Sequence, residues 1–154
     1  MTLAPLDGLC LDGLKASSWS EVLDTLGREA VRLGYATEAF PKALADRESK
    51  FPTGLPTKVP VAIPHADPEH ALITGLGVAR LAEPVEFGEM GGSGNTVAVQ
   101  LVVMLLVQSA DGHMDALTSV LAAVQDEEAM NRLLEAHGGE DLQRRATAVF
   151  SAES

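Results

Sequence analysis

Cysteine, aromatic residues and positive charge are all scarce in this sequence, and each shortage closes off a class of answer. Cys10 is the one cysteine, which excludes an internal disulfide and the usual zinc frameworks and fits a reducing compartment. Aromatics make up 4% of the chain against 46% hydrophobic residues overall. The core must therefore be assembled from Ala, Val and Leu, a composition suited to helices packed on a β-sheet. Basic residues number 11 against 22 acidic ones, giving a formal charge of −11. They are scattered, so nothing gathers Lys and Arg to displace counterions and nucleic acid is not an expected partner. An acidic surface suits a basic protein partner instead.

Long hydrophobic runs are missing as well. The longest, Val97 to Val107, contains Gln100 and is far short of the ~20 residues that cross a bilayer. No Lys or Arg precedes Lys15, and Asp7 and Asp12 lie before it, so a signal peptide is not expected. The expectation is a soluble, cytoplasmic protein with no direct membrane insertion. At 154 residues the chain has the size of one domain, taken as residues 1–154.

Periodicity supplies the elements. Ser18 precedes an apolar stripe of Trp19, Val22, Leu23, Leu26, Ala30 and Leu33, with Glu21 placed for a capping box and Gly34 as the stop. Thr37 is positioned to cap a second helix through Phe40, Ala43, Leu44 and Arg47, ending before Pro52. Val59 to Ile63 and Gly75 to Leu81 read as strands. Glu83 to Asn95, with four glycines, reads as a loop whose tip could shape a partner surface. Thr96 to Val107 is apolar on both alternating faces, the pattern of a central strand covered on both sides, with a buried helix as the alternative. Further helical stripes are Met114, Leu117, Leu121 and Val124; Ala129, Leu133 and Leu134; and Leu142, Ala146, Val149 and Phe150. The fold class predicted is α/β: a single-domain sandwich with a mixed sheet flanked by helices.

Chemistry is sought first at histidine, a neutral-pH nucleophile. His65 ends the strand Val59 to Ile63, after Pro64 and beside a Gly/Pro turn, where a partner can approach its ring. His113 follows the long apolar strand at the start of a helix, whose N-terminus favours added negative charge. If these two strands lie parallel and adjacent, both rings meet at one sheet edge, the edge where open α/β sheets place their sites. Arg47 can bind two phosphoryl oxygens with its planar guanidinium, or else form a surface pair with Glu48 or Asp46. His70 and His137 have neighbours that supply no chemistry, and His137 with Gly138 and Gly139 reads as a helix C-terminus. His65, Asp67, Glu69 and His70 form no regular metal-binding face, and no G-x-S-x-G elbow or P-loop is present. No metal and no cofactor is expected.

Arg47-Glu48, Thr53-Gly54-Leu55, Ala62-Ile63-Pro64-His65 and His113-Met114 leading into an Ala/Leu helix together resemble the fructose/mannitol-type, or type 2, IIA domain of the bacterial phosphoenolpyruvate-dependent sugar phosphotransferase system. The Phe51-Pro52-Thr53-Gly54 version resembles the galactitol-specific branch. The resemblance runs from the Ser18 helix to the last helix. It implies a domain that takes a phosphoryl group from the phosphocarrier HPr on the histidine matching His65, assisted by those matching His113 and Arg47, and passes it to a IIB component and, through it, a membrane IIC transporter. Arg47 and a protonated His113 would then supply positive charge around the phosphoryl oxygens in place of a metal ion. The chain carries no IIB or IIC segment, so the expectation is a free-standing component whose partners meet an apolar centre at Leu55, Ile63 and Met90. A regulatory, nitrogen-type IIA module, in which phosphorylation of His65 switches binding to another protein, is the alternative.

Overall fold

A computed structural model describes residues 3–151. Its frame is one five-stranded mixed sheet in the order β1-β4-β5-β3-β2, made of β1 (Pro5–Leu14), β2 (Gly54–Leu55), β3 (Val61–Ala62), β4 (Gly75–Gly88) and β5 (Thr96–Leu106). β1 runs parallel to β4, β4 antiparallel to β5, β5 parallel to β3 and β3 antiparallel to β2. β5 is central, as its two-faced apolar pattern requires. Leu101, Val103 and Leu105 enter one core with Val61, Ile63 and Val78. Val99, Val102, Met104 and Leu106 enter the other with Ala62, Ala79 and Phe87. Helices α1 (Trp19–Arg32) and α2 (Phe40–Lys50) cover the second face, and α3 (Ala110–Val124), α4 (Glu127–Leu134) and α5 (Gly139–Ser151) the first. The α/β sandwich with a mixed sheet is therefore the observed architecture.

Several boundaries differ from the sequence reading, each for a local reason. β1 was not expected, because Asp and Gly interrupt its alternation. Gly8 and Gly13 adopt φ of 81° and 74°, and the strand meets β4 with two register shifts, so glycine bulges carry an irregular edge strand. The segment read as a loop from Glu83 is strand as far as Gly88. Val85 and Phe87 point into the core while Glu86 stays exposed, a period-2 signal hidden by the neighbouring glycines; the loop proper is residues 89–95. α2 begins at Phe40 behind Ala39, without a side-chain cap; Thr37 instead accepts the Phe40 N–H through its backbone carbonyl at 3.0 Å. In α3 the buried face is Gly112, Ala116, Val120 and Val124, about one position from the stripe expected. Small residues let the helix approach the sheet, and Met114 is left 64% exposed. In α4, Met130 is buried rather than Leu134, and His137 lies between α4 and α5, its N–H donating to Asp141 at 2.9 Å. Cys10 is buried in the core, and burial pushes its thiol up to about 12, so it packs as a small apolar group.

One close approach fixes β2. Met90 N–H donates to the Gly54 carbonyl at 2.8 Å, and a Cβ on Gly54 would stand 2.7 Å from the Gly88 carbonyl oxygen. Gly54→Ala is expected to destabilise the fold by about 1–3 kcal/mol, the usual scale of overpacking, as read from urea unfolding; a loss below about 0.5 kcal/mol, the range of neutral surface changes, would contradict this packing.

Candidate functional site

Three chain segments converge at the carboxyl end of β3 and β5. β3 is only two residues long, and its parallel pairing (Val61 with Leu101, Ala62 with Val102) is extended by the Leu105 N–H donating to the Pro64 carbonyl at 3.0 Å. His65 is thereby held opposite Leu105. β5 then leads into α3, capped by Ser109, whose hydroxyl accepts the Gly112 N–H at 3.0 Å, and the first turns of that helix bring His113 back over the strand. The His65 and His113 ring centroids are 5.0 Å apart, at 61°. Parallel, adjacent strands thus do bring the two rings together. Arg47 arrives from the last turn of α2, where the helix dipole favours a cation, because the turn at Phe51–Thr53 and the β2–β3 pairing tie that helix end to β3.

His65 is not held in the open as expected; the residue is 5% exposed and meets the surface where, with Arg47, Lys50, Phe51, Thr53 and Met90, it lines a depression of about 520 Å³. Its Nδ1 lies 2.9 Å from the Ile63 carbonyl oxygen. A carbonyl only accepts, so Nδ1 carries the proton and, in the neutral ring, Nε2 keeps its lone pair. Nε2 has no hydrogen-bond partner among the described residues. Burial, chiefly, with Arg47 and His113 adding to it, holds the ring below its usual pKa, which keeps the lone pair available at neutral pH.

His113 is also pushed toward its neutral form, by burial first and then by Arg47. Without a phosphoryl group in the site, the permanent positive charge beside His65 is therefore that of Arg47. Arg47 pairs with neither Glu48 nor Asp46 but with Asp67, at 3.6 Å across an exposed gap, and its guanidinium lies 5.4 Å from the Phe51 ring centre. An exposed pair of this kind contributes roughly 0–1 kcal/mol, so exchange of Asp67 for another anion costs little. Arg47 Nε and His113 Nδ1 are buried without a hydrogen-bond partner, a tension of about 1–3 kcal/mol per group that a suitable polar partner would relieve.

Other features divide differently from the reading of the sequence. Ile63 is fully buried and cannot be part of a docking centre; Phe51 (61% exposed) and Met90 line the depression beside His65, and Met114 (64% exposed) follows His113 on α3. Glu48 went unrecognised. It is 4% exposed, and its carboxylate accepts the Thr53 N–H at 2.8 Å and the Thr53 hydroxyl at 2.9 Å. Burial raises its pKa against the pull of these bonds and of Arg47. The sequence signal was present in the adjacency of Glu48 to Arg47 five residues before Thr53, but nothing in it separates a buried carboxylate from a surface one. His70 closes a 3₁₀ turn, Pro68–His70, with Nδ1 3.4 Å from the Thr37 hydroxyl, and neither it nor His137 joins the cluster. A depression of about 600 Å³ between α3, α4 and α5 contains no histidine or arginine. Among the described residues, no helix is long and apolar enough to cross a membrane and no group of three or more His, Cys, Asp or Glu could hold a metal ion.

The site is thus a buried histidine with one free nitrogen, a second ring beside it and an arginine, at the sheet edge of a single α/β sandwich. Residues 9–146 match the family described as phosphoenolpyruvate-dependent sugar phosphotransferase system, EIIA 2, and the chain belongs to that family of phosphotransfer components. It is 30% identical over 123 residues to the galactitol-specific EIIA component of the phosphotransferase system of Escherichia coli (strain K12), covering 79% of this chain and 81% of that protein. It is 30% identical over 129 residues to the mannitol-specific phosphotransferase enzyme IIA component of Bacillus subtilis (strain 168), covering 82% and 84%. Among solved structures, the complex of enzyme IIAMTL and phosphorylated enzyme IIBMTL from Escherichia coli matches at a TM-score of 0.74 and 25% identity, over 94% of this chain and 98% of that one.

The depressed histidine pKa values have a definite sign. Below the ordinary value of about 6.5 the unfolded chain binds these protons before the folded one does, so the stability contributed by both neutral rings is present above that pH and is lost as pH falls through the folded values. Both rings are expected to titrate below 6.5 by NMR, and Arg47→Gln is expected to raise both midpoints; midpoints at or above 6.5, or no rise in the variant, would contradict the electrostatics described.

Proposed function

We propose that the protein is the IIA component of a sugar phosphotransferase system, accepting a phosphoryl group on His65 from phospho-HPr and passing it to a cognate IIB component, which serves a membrane IIC transporter from the cytoplasmic side. The observation that carries this reading is the Nδ1–H of His65 on the Ile63 carbonyl, which leaves Nε2 as the nucleophile. The Nε2 lone pair attacks phosphorus in line as the phosphorus–nitrogen bond of the donor phosphohistidine breaks, its electron pair returning to the donor ring. The His65 ring becomes cationic as the new bond forms, and the Ile63 carbonyl, already accepting from Nδ1–H, stabilises that charge. Onward transfer to the IIB component reverses these steps. Arg47 leaves Asp67 for the phosphoryl oxygens, and positive charge around them lowers the barrier of a loose transition state. His113 packs against the acceptor ring and donates to the phosphoryl group; the added negative charge draws its pKa back up.

Support for a sugar-transport role comes from the galactitol- and mannitol-specific relatives, and a polyol of that class is the substrate proposed for the transporter at the end of the relay. The complex of enzyme IIAMTL with phosphorylated enzyme IIBMTL supports a IIB partner, and Phe51 and Met114 offer it apolar contacts beside the histidines. Incubation with phosphoenolpyruvate, enzyme I and HPr is expected to add one acid-labile phosphate by intact mass. His65→Ala abolishes it, and His113→Ala and Arg47→Gln slow it by roughly tenfold or more, the scale of losing a single charge-stabilising donor. Phosphate retained on His65→Ala, or none on the wild type with carriers from the native host, would sink the reading. Phosphate that stays on the protein in the presence of its cognate IIB would support the regulatory module instead.

A further inference from the structure

We propose that Glu48 is a positioning residue for this site: through Thr53 and Ile63 its buried carboxylate fixes the ring tautomer of His65. This rests on the phosphoacceptor role given to His65 above and adds a residue to which no role was assigned. The connection is a continuous chain of hydrogen bonds. Glu48 accepts from both the Thr53 N–H (2.8 Å) and the Thr53 hydroxyl (2.9 Å). The same hydroxyl oxygen accepts the Ile63 N–H at 3.2 Å, and the Thr53 carbonyl shares that N–H at 3.3 Å. Ile63, so anchored, presents its own carbonyl to His65 Nδ1 at 2.9 Å. Both acceptors of the Ile63 N–H therefore belong to the one residue that Glu48 holds.

Direction of donation is what makes a carboxylate necessary. The Thr53 hydroxyl must donate its proton toward Glu48 rather than toward the Ile63 N–H; the two carboxylate oxygens take it between them, Oε1 at 2.9 Å and Oε2 at 3.1 Å, while Oε2 also accepts the Thr53 N–H at 2.8 Å, and an ionised carboxylate has no proton to offer in return. A carboxamide must crowd both Thr53 donors onto one oxygen and sets its N–H₂ where Oε1 now accepts the hydroxyl. A side chain that is 4% exposed has no ready solvent contact to make up the difference, since buried networks tolerate no half-satisfied member. Released from Glu48, Thr53 turns, Ile63 loses its anchor, and the carbonyl that selects the Nδ1–H form of His65 shifts. Phosphoryl acceptance then slows because a fraction of the rings carries the proton on Nε2.

The test compares Glu48→Gln, Thr53→Val and Thr53→Ser with the wild type in two measurements: the ¹⁵N tautomer signature of the His65 ring, and the rate of phosphorylation by phosphoenolpyruvate, enzyme I and HPr. Folding of each is checked by circular dichroism and cooperative melting. Folded Glu48→Gln and Thr53→Val are expected to show a mixed or Nε2–H ring and a rate at least tenfold lower, with Thr53→Ser restoring most of both. A folded Glu48→Gln with the wild-type ring signature and rate would overturn the proposal. If Glu48→Gln does not fold, the Thr53 pair decides: a difference between Val and Ser in the ring signature supports it, and identical signatures overturn it. The ring signature needs no partner protein, so a wild type that takes no phosphate defeats the proposed function while this assignment is still judged on the tautomer.

Discussion

The parallel contact between β3 and β5 is two residues long, yet every feature of the site depends on it. It sets His65 opposite Leu105 at the strand end, and β5 continues directly into the helix that carries His113, so one strand positions both rings. Pro64 contributes by its constraint as well as its carbonyl: it has no N–H to pair, which interrupts the ladder after Ala62, while its carbonyl carries the pairing on to Leu105 and sets His65 opposite that residue. On the other side the short β2 ties the end of α2 to β3, and Gly54 permits the close approach to Gly88 that keeps it there. Two short, irregular strands at the margin of a long, regular sheet thus do the positioning, while β4, β5 and the two apolar cores supply rigidity.

Burial and charge act on His65 in complementary ways. Desolvation keeps the resting ring neutral, as a nucleophile must be. The same desolvation disfavours the cationic ring that phosphorylation creates, so on the proposed reading the site accepts a phosphoryl group without holding it strongly, a property suited to a relay. Arg47 is the counterweight. Its permanent charge depresses the resting pKa of both rings and, in the proposed transfer, offsets the phosphoryl oxygens. The chain as a whole is strongly acidic; at His65 and His113 the charge of Arg47 acts against that, partly offset by Asp67.

Much of this was legible in the sequence where a single pattern decided the outcome. The two-faced apolar run of β5, the stripe of α1 with its Ser18 cap, and the placement of His65 and His113 after strands that turned out parallel all followed from periodicity. What escaped detection depended on packing partners that periodicity does not encode. β1 is held by its pairing with β4 and by glycine bulges, and the face of α3 that turns inward is chosen by small residues, Gly112 and Ala116, rather than by the larger Met114. Ile63 looked like a surface contact because it ends a strand two residues before His65, and Glu48 like a surface acid because its neighbours are charged. Both are buried for the same reason: the hairpin of β2 and β3 folds the end of α2 onto the sheet, a long-range event that leaves no local signature.

The account stands or falls on which nitrogen of His65 is free. The most direct measurement is the ¹⁵N spectrum of the His65 ring in the phosphorylated protein, with phosphorus coupling used to locate the bond. Phosphorus on Nε2 with the proton retained on Nδ1 is the predicted result, because the Ile63 carbonyl occupies the other side of the ring. Phosphorus on Nδ1 would mean that this hydrogen bond is broken during transfer, and would contradict the central claim that it selects the nucleophile.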